Sequence, residues 1–346
     1  MRVKAGPRAP MRSAVTSAWL AALAAPVLAC AAPSAAVAQT AEPVSTVAST
    51  VTATETVAGE STASPPASTP PPAETDPAAA PLWAIAVSGG ISARDDGPDG
   101  NWQTLSLTRR LGRGYVRGTV MRYHGTLLQA DTALPSDYYV ATLGAGGNFG
   151  NWVVDGWASY GRQDYGRIST TASTGVSTSR ASTGAKGSDY YALGGDFGRV
   201  VPLGGNFYLT PTIAASFANG RLLRPAPSET TFDDVETGEP TWSANATMRV
   251  DYAFGATHSH YVGLSFSRNW TSNGVSALRL HREQQANGSY VFNLDSKHYA
   301  DGWFEAGAST SMRLTDTVYV DLFGTRSFGV MAGNITTAGI TLRKSF

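Results

Sequence analysis

Five histidines are the first candidates for chemistry: His124, His258, His260, His281 and His298. His258 and His260 flank Ser259, a spacing at which two imidazoles can share one metal ion. A zinc site takes at least three protein ligands, and no third is evident nearby. Serine hydrolysis needs a hydroxyl beside a histidine that a further polar group orients, and no histidine lies in a clearly alternating segment. The stretch RDDGPDGN gathers Asp95, Asp96 and Asp99 with Asn101. It lacks the Asp-x-Asp-x-Asp-Gly spacing of a calcium loop and reads as an acidic surface loop. GAGG at 144–147 is followed by neither Lys-Ser/Thr nor a helix, so it is no phosphate loop. The expectation is a protein that is not an enzyme and has no metal or cofactor site.

What remains is a set of charges in segments that alternate with period two. In FYLTPTIAASF, Phe207, Leu209, Pro211, Ile213, Ala215 and Phe217 share one face, and Tyr208, Thr210, Thr212, Ala214 and Ser216 the other. WSANATMRVDY sets Trp242, Ala244, Ala246, Met248, Val250 and Tyr252 against Ser243, Asn245, Thr247, Arg249 and Asp251. GWFEAGASTSMRL sets Phe304, Ala306, Ala308 and Met312 against Trp303, Glu305, Ser309, Ser311 and Arg313. Segments of about ten alternating residues are the signature of strands that cross a membrane. On such strands Asp155, Arg249, Asp251, Glu305, Arg313 and Asp321 belong to the polar face. An arginine at mid-depth in lipid costs ~2–4 kcal/mol, so these six are expected to face the lumen of a barrel. Their mixed signs argue against strong ion selectivity.

The connections supply the topology. Short ones (110–114, 149–151, 202–206, 255–260 and 315–316) alternate with long polar ones (93–101, 124–137, 163–188, 221–240, 271–297 and 327–334). Outer-membrane barrels have short periplasmic turns and long outer loops. The fold class read from this is all-β: a transmembrane antiparallel up-and-down β-barrel of about 12 strands. Residues 275–294 are read as a hairpin protruding outward, with two further wall strands as the alternative. Trp83, Tyr115, Trp152, Phe207 and Tyr261 open strands on the inner side. Trp102, Tyr138, Tyr190, Trp242 and Tyr299 open them on the outer side, where Trp270 closes one. Together they are expected to form two interfacial girdles. The last strand, 335–346, ends on Phe346 and is expected to pair with 83–92, because an open strand edge in lipid is untenable.

The N-terminal region has a different texture. Arg2, Lys4, Arg8 and Arg12 precede AVTSAWLAALAAPVLA (14–29), and AVA at 36–38 fits a small-x-small cleavage site. Residues 1–38 therefore read as a signal peptide. VLAC also resembles a lipoprotein signal that would lipidate Cys30, the single cysteine. The chain carries 26 basic and 26 acidic residues, and removing those four leaves 22 against 26, a net −4. That balance gives no footprint for nucleic acid. Residues 39–81 contain no Phe, Tyr, Trp or Leu. They read as an Ala/Pro/Ser/Thr-rich disordered linker, leaving 82–346 for the barrel.

A family resemblance rests on two stretches. YYALGGDFGRVVPLGGNFYLTPTIAASFANG (190–220) resembles the autotransporter β-domain of Gram-negative bacteria, in which a Gly-rich strand, a short turn and an L-x-P strand recur. The terminal ITLRKSF is similar to that family's assembly signal, with Phe346 last and Leu342 and Ile340 on the same face. Lys344 departs from the usual apolar or aromatic choice. The resemblance implies a twelve-stranded barrel whose lumen holds a linker during secretion. That family commonly carries a long passenger, whereas the 39–81 segment shows no repeats and no protease motif, and Pro77 and Pro81 disfavour a pore-spanning helix. The expected function is an outer-membrane barrel resembling an autotransporter translocator domain with little or no passenger. The alternative is a stand-alone, porin-like channel for small solutes. Expected partners are outer-membrane lipid, lipopolysaccharide and the barrel-assembly machinery, with the protein a monomer exported to the outer membrane.

Overall fold

The computed structural model describes residues 82–346 apart from 96–97, 130–131, 172–176, 227–232, 256–258 and 287–289. It adds the backbone of 45–46 and 62–63, and describes 127–129, 278–284 and 290–295 as backbone alone. The expected signal peptide, Cys30, nearly all of the 39–81 linker, Asp96 and His258 lie outside the described residues.

Twelve strands form the wall. They are β1 (Trp83–Arg94), β2 (Gly100–Leu111), β3 (Gly114–Gln129), β4 (Thr132–Phe149), β5 (Trp152–Tyr165), β6 (Gly187–Arg199), β7 (Phe207–Asn219), β8 (Thr241–Phe254), β9 (His260–Gln284), β10 (Tyr290–Arg313), β11 (Val318–Phe328) and β12 (Ile335–Ser345). Every neighbouring pair is antiparallel, and β12 pairs with β1 from Ile335↔Arg94 to Ser345↔Ala84. The seam is finished at its inner end by Trp83 N–H donating to Phe346 O (3.0 Å) and Phe346 N–H to Trp83 O (2.9 Å). The sheet is thus a closed up-and-down barrel with no free edge, which is what lipid demands of a strand.

Turn chemistry places the two ends of the barrel. Gly112 (φ 63) and Gly150 (φ 70) adopt the left-handed conformation that two-residue hairpins require, joining β2 to β3 and β4 to β5. The opposite end carries long connections, and two of them fold into small hairpins of their own, 168–171 with 177–180 and 221–224 with 235–238. Residues 275–284 and 290–299 continue β9 and β10 outward as one paired ribbon, the protruding hairpin favoured over extra wall strands. The expected loop at 124–137 is instead strand. Its register runs His124↔Asp137 through Leu127↔Leu134 to Gln129↔Thr132. Gly125 and Pro135 are turn-forming residue types, but the alternation continues through both, and Leu134 is fully buried.

The wall sorts its faces as the alternation requires. Leu143 (73 % exposed), Ile213 (61 %) and Leu264 (65 %) point away from the lumen, an exposure that a lipid-facing wall explains and a water-facing one does not. The two girdles are only half present. Trp83, Trp152, Phe207, Trp242, Trp270 and Tyr299 do face outward, whereas Trp102, Tyr115, Tyr138, Tyr190 and Tyr261 are buried inside the barrel. The reason is parity. Trp102 shares its face with Thr104, Ser106 and Thr108, and Tyr261 shares its face with Ser267 and Asn269. Position along a strand sets depth in the membrane, but only the odd or even count sets the side.

These inward aromatics build an apolar cluster in the lumen: Trp102, Met121, Tyr123, Tyr138, Trp157, Tyr190 and Phe323, with the loop residues Leu222 and Leu223 among those packed with them. At the seam the cluster depends on two glycines. The transverse row Trp102–Gly90–Gly339–Phe323 crosses β2, β1, β12 and β11 in register. The two rings stack over the glycines with centroids 6.0 Å apart. A Cβ on Gly339 would stand 2.5 Å from Phe323 Cε1 and 2.8 Å from Trp102 Cζ2.

Candidate functional site: the lumen and its outer mouth

Five of the six charges expected in the lumen are buried there: Asp155, Arg249, Asp251, Glu305 and Asp321. Arg313 shares that face at the inner end of β10 but turns to the β10–β11 turn, donating to Asp316 Oδ1 at 2.6 Å. The structure joins two of the six directly: Arg249 Nε donates to both oxygens of Asp251 at 2.8 and 2.7 Å. Gly263 of β9 lies in register with Asp251, and a Cβ there would collide with this pair. Asp155 instead accepts from Tyr115 and lies 3.7 Å from Arg117 Nη2, and Asp321 lies 3.7 Å from Arg343 Nη2. Arg343 also stacks over Tyr319 at 4.8 Å. Lumenal charges are therefore mostly compensated in pairs, as burial requires.

Three lumenal charges escaped the candidate set: Arg117, Asp196 and Arg343. Their parity was readable, since Asp196 follows Tyr190, Ala192 and Gly194 at every second position. Asp196 faces Asp155 across the β5–β6 ladder, and neither of its carboxylate oxygens has a hydrogen-bond partner among the described residues. Hydroxyls fill the wall between the charges, with Ser106 bonded to Thr119 (3.0 Å), Thr142 to Ser159 (2.8 Å) and Thr341 to Ser88 across the seam (2.9 Å).

The outer mouth is organised around two buried carboxylates that the alternation could not reveal. Glu239, fully buried, ends the 221–238 hairpin. Its Oε1 accepts from Arg224 Nη2 (3.0 Å), Thr237 Oγ1 (2.7 Å), Ser276 Oγ (3.2 Å) and Ser296 Oγ (2.6 Å). Its Oε2 accepts from Asn273 Nδ2 at 3.1 Å and lies 3.0 Å from His298 Nε2. One carboxylate thereby binds the hairpin to both β9 and β10. Burial pushes the Glu239 carboxyl up, but Arg224 and the donors from Ser296, Thr237 and Asn273 outweigh it and hold the group below its ordinary value. Asp234 forms the second clasp. Arg180 grips it with two bonds of 2.6 Å, and the N–H groups of Thr183 (2.9 Å) and Ala226 (2.7 Å) complete it. Burial pushes its carboxyl up, but these donors outweigh it and hold the group well below the ordinary range.

The remaining sequence candidates do not assemble into a centre. His124 sits at the outer part of β3, its Nδ1 3.2 Å from Asp137 Oδ1, which Arg122 also contacts. His260 begins β9 at the inner end, and His281 and His298 belong to the protruding ribbon. These four histidines lie on strands, at or beyond the edges of the wall. Among the described residues no group of three or more His, Cys, Asp or Glu could hold a metal ion. Asp95 accepts from Arg326 Nη2 at 2.6 Å, tying the first outer loop to β11. Ile340, Leu342 and Phe346 all face outward, and Lys344 shares that face.

Comparison with known proteins gives this architecture relatives. A structural likeness joins it to the β-domain of the Bordetella autotransporter BrkA, with TM-score 0.52 and 12 % identity over 77 % of this chain and 99 % of that one. The translocator domain of the autotransporter NalP from Neisseria meningitidis matches with TM-score 0.56 and 13 % identity, over 77 % and 88 %. No curated protein matches significantly. Identities this low speak for the fold alone. The model of the autotransporter β-domain family, however, matches residues 118–323, more than half of the sequence. That match covers most of the wall, from β3 into β11, and with it the chain belongs to the autotransporter β-domain family of Gram-negative outer-membrane barrels.

Proposed function

We propose that this barrel is the translocation unit for the segment that precedes it. Residues 1–38 deliver the chain to the periplasm as a signal peptide, and residues 39–81 serve as a tether or minimal passenger led through the lumen. The observation that carries this reading is the segregated wall: aliphatic residues outside, and inside, beside the aromatic cluster, rows of hydroxyls and mostly paired charges. A polar, charge-compensated bore suits an extended Ser/Thr/Pro-rich chain, because it offers hydrogen bonds without holding either sign of charge. Protease added to intact cells tests it. An epitope inserted between residues 60 and 61 should be removed from outside, and protection in intact cells with cleavage after lysis would refute display.

The partners follow from the outward face. Lipid and lipopolysaccharide cover the aliphatic wall. The barrel-assembly machinery reads Phe346 with Leu342 and Ile340, which lie together on the closing strand. On this reading the protein carries out no catalysis and acts as a monomer that binds no nucleic acid. A second reading, a passive channel for small solutes, is favoured by the hydroxyl-lined wall. Purified protein without conductance steps in planar bilayers would exclude it.

A further inference from the structure

We propose that the hairpin of residues 221–224 and 235–238 is a latched lid on the outer mouth, with Glu239 as its latch. Leu222 (3 % exposed) and Leu223 (0 %) of this hairpin belong to the same buried apolar cluster as the lumenal residues Tyr190 and Trp157. The lid therefore packs apolar side chains with those of the lumen as well as lying over the mouth. It is attached by polar contacts at three places: Glu239 to β9 and β10, Asp234 to the loop residues 180 and 183, and the Arg221 carbonyl and Glu236 to Tyr165 of β5, with Ser188 of β6 also donating to Arg221 O. The first two centre on one buried carboxylate each, and each of these carboxylates is held by an arginine.

This arrangement is bistable rather than merely stable. A buried ion pair holds while both partners are present, but losing one leaves the other charged and dry, which is strongly unfavourable. The hairpin then gains by moving out to water. Nothing in the wall itself need change, because the wall strands are bonded to one another and not through the lid. The charged and titratable groups facing Glu239 are Arg224 from the hairpin and His298 from β10. Acid reaching Glu239 removes the negative charge that Arg224 requires and works in the same direction as a Glu239→Gln substitution.

The test is single-channel recording of the purified full-length chain, with heat-modifiable gel mobility as the check on folding. Wild type should be closed most of the time at neutral pH. Glu239→Gln should raise the open probability roughly a hundredfold, the shift expected for breaking one partner of a buried pair. Thr237 Oγ1 and Ser296 Oγ both bond Glu239 Oε1, so a Thr237→Cys, Ser296→Cys protein that has been cross-linked through the two thiols should be silent until the cross-link is cleaved. Should either variant fail to fold, wild type alone decides, since acid strong enough to protonate Glu239, whose carboxyl is held below its ordinary value, must open it. A wild type that stands open at neutral pH overturns the proposal. So does a folded Glu239→Gln protein as silent as wild type, a cross-linked cysteine pair whose conductance ignores cleavage, or a wild type that acid leaves closed.

Discussion

Gly339 has no room for a methyl group, because the rings of Phe323 and Trp102 already occupy the space over it. Gly339→Ala should lower the temperature of the heat-modifiable transition, with a cost of ~1–3 kcal/mol for overpacking. Gly324→Ala, where a Cβ would meet only Thr337 O at 3.7 Å, should be close to neutral on the same gels. The Arg249–Asp251 pair makes a complementary case. Arg249→Ala strands a buried carboxylate and should cost ~3–5 kcal/mol, while Arg249→Met with Asp251→Leu should recover most of the loss. Equal stability of the single and double variants would show that the pair is not held dry. Phe346 is 60 % exposed on the lipid side, so the loss of its side chain should remove little stability in detergent, ~1.5–3 kcal/mol, to which its deletion adds the two seam hydrogen bonds to Trp83, ~0.5–1.5 kcal/mol each. Its assembled level in the outer membrane should nevertheless fall steeply, and an unchanged level would deny it a role as a recognition signal.

Closure of the sheet belongs to the elements, and the seam gives it a direct reading. Ser88 Oγ and Thr341 Oγ1 are 2.9 Å apart across β1 and β12, so Ser88→Cys with Thr341→Cys should cross-link inside the assembled barrel, visible as a mobility change on non-reducing gels after boiling. Absence of that bond would contradict the register. The pairing itself was legible in the sequence, because Phe346, Leu342 and Ile340 alternate with Arg343 and Thr341 and an edge in lipid has no other outcome. The strand faces were legible for the same reason. Trp102 and Tyr115 face inward because parity, not aromatic character, sets the side of a strand residue, and the polar residues of 124–137 hide a strand pair because its alternation is interrupted by Gly125 and Pro135 in sequence but not in register. Glu239, Arg224 and Asp234 were out of reach altogether. Their partners come from separate loops, and no spacing in one segment announces a contact that exists only when several meet in space.

At the scale of the whole molecule the two ends answer pH differently. The outer end depends on Glu239 and Asp234, both held below their ordinary values. A group with a depressed folded value contributes its full stability above its unfolded value and loses it as pH falls through the folded one. Loosening of the outer cap should therefore begin below about pH 4, seen as amide exchange at 221–226 and 233–239, while the hydrogen-bonded seam stays protected. Uniform exchange over cap and seam would show that the clasps are not separate from the wall. The glycine row at that seam has a consequence for the size of the bore. A slip of the closing strand by two residues would set Thr337 or Thr341 opposite Gly90, where a side chain meets the Trp102 ring, and a slip by one would turn Phe346 inward. Only one stagger of the last strand against the first is left, and stagger together with strand number fixes shear, tilt and hence circumference. The missing methyl groups of Gly90 and Gly339 thus act as a gauge for the diameter of the whole cylinder.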